Sequence, residues 1–71
     1  MQLTDLAAGA LEVARRDGRD LRYEVSEICH SERYRLSVRY RSASGDEVRL
    51  GLAYSPDRDA LEALCATLSG T

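Results

Sequence analysis

His30 and Cys29 stand side by side, and a second thiol, Cys65, lies near the end of the chain. An imidazole beside a thiol could act as a base with its nucleophile, or as two ligands of a metal. Neighbouring residues of an extended segment point to opposite sides, however, so Cys29 and His30 do not naturally meet. Cys65 falls about two turns into a helix, roughly 12 Å from its start, too far to complete a metal site or to bridge to Cys29. Two free thiols are expected, with Cys65 on an apolar stripe as a small hydrophobe. Asp57, Asp59 and Glu62 gather carboxylates, but at a helix start they serve the dipole and solvation. No Gly-rich phosphate loop, Ser/His/Asp set or CxxC spacing occurs. The expectation is a non-enzyme without cofactor or metal.

The arginines are more informative. Arg33, Arg35, Arg39 and Arg41 follow one another at two-residue spacing, interrupted only by Ser37, and Arg22 and Arg49 fall on the same face of the neighbouring strands. The plainest explanation is a solvated sheet face that blocks edge pairing and forms weak cross-strand pairs with Glu24 and Glu47. Adjacent like charges nevertheless cost stability, and a guanidinium fork fits carboxylate or phosphate bidentately. A partner supplying such groups would explain the stack. His30, flanked by polar turn residues, reads as an exposed turn residue that joins the arginines if the ligand is a nucleic acid.

These side chains must be positioned by elements whose periods are legible. Leu3, Leu6, Ala7, Ala10, Leu11, Val13 and Ala14 recur at helical spacing, which predicts a helix over 4–17 ended by Gly18. From Asp20 the period is two, with Leu21, Tyr23 and Val25 opposite Arg22, Glu24 and Ser26. A polar turn at Cys29 to Glu32 precedes a second strand, with Tyr34, Leu36, Val38 and Tyr40 on its inner face. The cluster from Ser42 to Asp46 is a second turn. In the third strand Val48, Leu50, Leu52 and Tyr54 alternate with Glu47, Arg49, Gly51 and Ala53. Ser55 and Pro56 then predict a capped helix over 56–68 with Ala60, Leu61, Leu64, Cys65 and Leu68 as its buried stripe. The fold expected is α+β, in the order α-β-β-β-α. A three-stranded antiparallel sheet carries both helices on one face and leaves the other to solvent.

Composition bounds the functional classes. Seventy-one residues make one small domain, 1–71, which has little room for a deep catalytic cavity. All ten basic residues are arginine, against twelve acidic residues, for a net charge of −2. That total argues against a general binder of nucleic acid or anionic membrane, which carries a basic excess. Its distribution is bipolar: the outer sheet face (Arg22, Arg33, Arg35, Arg39, Arg41 and Arg49 against Glu24 and Glu47) stands at +4, while the helices and connections are acidic. No apolar run approaches the roughly 20 residues of a membrane span, and Met1 to Ala10 lacks the pattern of a secretory signal, so a cytoplasmic location is expected.

The chain resembles a double-stranded RNA-binding domain, which has the same element order at nearly the same length. The likeness covers roughly residues 3–69. It rests on Arg22-Tyr23-Glu24 at the first strand, His30 four places before Tyr34, and Gly51-x-Ala53-x-Ser55 leading into the last helix. The family has Gly-Pro ahead of its histidine where this chain has Glu27 and Ile28. It places phosphate-gripping lysines at the start of the last helix, where this chain has Pro56, Asp57, Arg58 and Asp59. The resemblance therefore implies the fold and not the lysine-based grip on RNA.

The expected function is a small protein-interaction module, of inhibitor or adaptor type, that binds an acidic protein surface through Arg22, Arg33, Arg35, Arg39, Arg41 and Arg49. In size and composition it resembles the tiny autonomous proteins of phages and mobile elements, anti-CRISPR proteins among them. The alternative is a nucleic-acid binder using the same arginines and His30. Tyr54 and the outer edges of the first and third strands are the places for a homodimer contact.

Overall fold

The computed structural model describes residues 2–70; Met1 and Thr71, the two ends of the expected domain, lie outside the described residues. The order is α1 (Asp5–Asp17), β1 (Arg19–Glu27), β2 (Tyr34–Arg41), β3 (Glu47–Ser55) and α2 (Arg58–Ser69). The fold is α+β: the strands form one antiparallel sheet with β2 in the centre, and both helices pack against it. No helix among the described residues is long and apolar enough to cross a membrane.

Local chemistry sets the helix ends. The Thr4 side chain accepts from the Ala7 amide and so caps α1, and the Gly18 amide closes its other end on the Ala14 carbonyl. α2 begins two residues later than the sequence suggests. Asp57, not Ser55, is its N-cap and accepts from the Ala60 amide at 3.2 Å. Ser55 remains the buried last residue of β3, and its hydroxyl accepts from the Asp57 amide at 3.0 Å. Aspartate is as good a cap as serine, and Pro56 fits the extended approach to it as well as the first helical turn.

The core is a single cluster. Leu36 and Val38 of the central strand and Leu61 of α2 are wholly buried, with Leu11 of α1 and Leu52 of β3 nearly so. Each such side chain contributes about 1.5 to 3 kcal/mol relative to exposure. Tyr23, Val25, Leu64, Cys65 and Leu68 pack around them. Arg15 donates to the Tyr23 hydroxyl and to the Leu68 carbonyl, tying α1 to β1 and to the end of α2.

Two expectations of apolar burial fail. Leu6 is 87% exposed and Val13 is also open to solvent. Both belong to the apolar period of α1, but the helix turns Leu11 and Ala14 to the sheet and leaves these two off its contact arc. The other correction concerns β3. The register with β2 pairs Leu36 with Ala53 but Ser37 with Gly51, so Leu52 is an extra residue, a β-bulge. The bulge sends Leu52 and Ala53 both to the core and moves Tyr54 to the outer face, opposite Arg35. A second irregularity lies in β1 between Arg19 and Arg22, where Asp20 adopts φ +57. Aspartate tolerates that left-handed conformation better than most residues.

Candidate functional site on the arginine face of the sheet

The sheet register arranges the outer face in rows across the three strands. Arg22, Arg39 and Arg49 stand directly opposite one another, and Arg19, Arg41 and Glu47 form the adjoining row. On the other side of the arginine row come Glu24, Ser37 and Gly51, and then Ser26, Arg35 and Tyr54. Arg33 immediately precedes β2. The row of three arginines was not visible from spacing along one strand, since it depends on register between strands. Like charges placed directly opposite are destabilising, so the row needs counter-charge.

Glu24 supplies most of it. Its carboxylate accepts from Arg49 at 2.8 Å and lies 3.6 Å from Arg39, while Glu47 lies 3.8 Å from Arg39. The first contact is a charge-assisted hydrogen bond; the other two are longer than hydrogen bonds and act by charge alone. Among the described residues Arg22, Arg33, Arg35 and Arg41 form no ion pair. The face therefore retains a surplus of positive charge after its own carboxylates are used. Near the bulge of β1, Asp20, Arg22, Arg39, Tyr40, Arg41 and Glu47 line an open cavity of about 250 Å³.

The centre of this face is not left to solvent. Ser37 is 0% exposed, although it lies on the side away from the helices. Arg35 is half-buried, with its Nε shut off from water and without an acceptor, and the Ser37 hydroxyl also lacks a partner. Gly51, across from Ser37, has no side chain, and the Tyr54 hydroxyl lies over its Cα. Neither the burial of Ser37 nor the position of Tyr54 was legible in the alternation. Gly51 was the available signal, because glycine inside a strand marks bulges and close approaches.

The remaining sequence candidates lie elsewhere. His30 is exposed at φ +60 in the turn between β1 and β2, which Ile28 and Arg33 close by a backbone hydrogen bond of 2.9 Å. It is at the opposite end of β2 from Arg41, and that strand spans about 23 Å at 3.3 Å per residue. Cys29 is exposed and Cys65 half-buried, both as free thiols. Burial pushes the Cys65 thiol upward in pKa, and the nearby Glu62 charge adds to it. No group of three His, Cys, Asp or Glu side chains among the described residues could hold a metal ion. At the start of α2, Asp57 occupies the capping position, and Arg58 pairs with Glu62 at 3.4 Å and lies over the Tyr34 ring.

An apolar groove of about 540 Å³ runs between α1 and β3, lined by residues that include Leu6, Ala7, Ala10, Leu52, Ala53 and Tyr54. The chain matches no family model, no curated protein and no solved structure.

Proposed function

We propose that this protein is a non-enzymatic interaction module, of inhibitor or adaptor type, that binds an acidic partner protein through the outer face of its sheet. The observation that carries this reading is the transverse row Arg22, Arg39, Arg49, with Arg41 and Arg35 beside it on a face the helices do not cover. Only two glutamates of that face offset it. Opposed like charges cost stability in the free protein, and carboxylates from a partner would relieve the cost while accepting bidentate hydrogen bonds. Its acidic helices lie on the other side of the sheet, a bipolarity that would orient an acidic partner before contact.

A nucleic-acid reading of the same arginines has less support. The net charge of −2 is unfavourable to phosphate binding at a distance, and Asp57 already accepts from the α2 N-terminus. The likeness to double-stranded RNA-binding domains is taken as one of element order alone. Two free thiols suit a reducing compartment, and we place the protein in the cytoplasm.

A polarisation titration separates the two ligands. A labelled glutamate-rich peptide, duplex RNA, duplex DNA and single strands are each added at two salt concentrations. The expected result is binding of the acidic peptide, with weak, steeply salt-sensitive binding of the nucleic acids. Submicromolar binding of any nucleic acid at physiological salt would overturn the acidic-protein reading in favour of the nucleic-acid one.

A further inference from the structure

Three side chains whose hydrogen-bond donors lack acceptors, Arg35, Ser37 and Tyr54, occupy neighbouring outer-face positions around Gly51. Ser37 stands directly opposite Gly51 in the register, wholly buried, and its hydroxyl has no partner. Arg35 is two residues away on the same face of β2, and its Nε is likewise buried and unpartnered. A methyl group at Gly51 would lie 3.6 Å from Arg35 Cδ and 2.5 Å from the Tyr54 hydroxyl, so both side chains reach over the space that glycine leaves. The Tyr54 hydroxyl forms no hydrogen bond among the described residues. Buried polar groups in folded proteins nearly always have partners, and two orphans on neighbouring outer-face positions call for a common explanation.

We infer that the space over Gly51 is an oxyanion site, at which Arg35 Nε–H, Ser37 Oγ–H and Tyr54 Oη–H donate to one carboxylate of an acidic partner. This deepens the acidic-partner reading and rests on it for the source of the carboxylate. A guanidinium and two hydroxyls supply only donors to an anion, and together they match the acceptor sites of a carboxylate. Tyr54 is 56% exposed on an edge strand, so its ring can shift off Gly51 to make room while its hydroxyl stays within reach to donate to the ligand. The one nearby group that opposes an anion is Glu24, across from Ser37 on the other side, and Arg49 and Arg39 already hold its charge. Glycine at 51 is what leaves room for the Tyr54 hydroxyl over the strand, since a Cβ there would lie 2.5 Å from it.

The test is an NMR titration of the whole chain, labelled with ¹⁵N, using sodium acetate and, separately, inorganic phosphate at constant ionic strength. Acetate is expected to give saturable shifts centred on the Gly51 amide and Arg35 Nε–H. Ser37→Ala and Tyr54→Phe should each weaken it by about ten- to a hundredfold, as the loss of one hydrogen bond to a charged group does. Gly51→Ala should abolish saturation; if that variant does not fold, the other two decide. Shifts that do not saturate, that fall equally on Arg22 and Arg41, or that keep the same affinity in Ser37→Ala and Tyr54→Phe would overturn the site. Phosphate saturating tenfold below acetate would overturn the carboxylate as its ligand. Binding of the glutamate-rich peptide that survives Ser37→Ala and Tyr54→Phe leaves the arginine face standing without this site. Saturable acetate without peptide binding leaves the site standing without the wider reading.

Discussion

Glu24 of one edge strand accepts a 2.8 Å hydrogen bond from Arg49 of the other edge strand, passing over the central strand between them. Such a bridge spans two strand spacings, about 9.6 Å. It crosses the sheet beside Ser37 and helps to explain why a serine on the outer face has no exposed surface. It also holds Arg49, and through the same carboxylate Arg39, in a row with Arg22.

Removing that carboxylate charge should therefore separate stability from binding. Glu24→Gln is expected to keep the fold and to lose about 1 kcal/mol or less, since these pairs are partly exposed and screened. Binding of a glutamate-rich peptide should strengthen severalfold as Arg39 and Arg49 are released. Chemical denaturation and peptide titration of the same variant check the two halves. Weaker peptide binding would mean that Glu24 orders the arginines for their ligand instead of competing with it.

Core and surface leucines should behave oppositely. Leu36→Asp or Leu61→Asp places an unpaired charge where exposure is zero, a cost of several kcal/mol that a domain of this size does not survive. Leu6→Asp, at 87% exposure, should melt within a few degrees of the parent. Circular dichroism melts compare all three. A folded Leu61→Asp protein would show that α2 does not pack as described.

The contrast marks what the sequence carries and what it does not. Strict alternation from Tyr34 to Arg41 made β2 and its arginine face legible, because period two permits only one assignment of faces once Leu36 and Val38 are buried. Alternation cannot reveal the extra residue Leu52, so it groups Tyr54 with Val48, Leu50 and Leu52, whereas Tyr54 lies on the outer face opposite Arg35. Leu6 and Val13 fit the helical period, yet period says only which residues share an arc and not how wide the contact is. The row Arg22, Arg39, Arg49 and the orphaned hydroxyl of Ser37 depend on register, which a single strand's pattern does not contain.

The α2 cap offers a stability test away from the sheet face. Asp57→Ala removes the acceptor of the Ala60 amide and should cost about 1 kcal/mol, read as a lower denaturation midpoint. Ser55→Ala should instead remove a contact to the Asp57 amide at the end of β3 without uncapping α2. Equal loss of helical signal in both variants would contradict the assignment of the cap to Asp57.

The thiols should react at different rates. Cys29, exposed, is expected to react first with a disulfide reagent. Cys65, whose thiol is held protonated by burial and by Glu62, should react slowly and accelerate only at pH above the ordinary thiol range. Mass spectrometry of the labelled protein against pH follows both. Reductant should leave the melting temperature unchanged, and a drop of several degrees would reveal a bridge.

The acidic-partner reading is tested most directly by charge reversal at Arg22 and Arg41, which are exposed and form no ion pair among the described residues. An Arg22→Glu/Arg41→Glu protein should fold as the parent does and bind the glutamate-rich peptide at least tenfold more weakly in a polarisation titration at physiological salt. An Asp57→Ala/Asp59→Ala protein, altered at the start of α2, should bind the peptide as the parent does. Undiminished peptide binding by the charge-reversed sheet, or binding lost only in the aspartate variant, would contradict the account and move the functional surface to the helices.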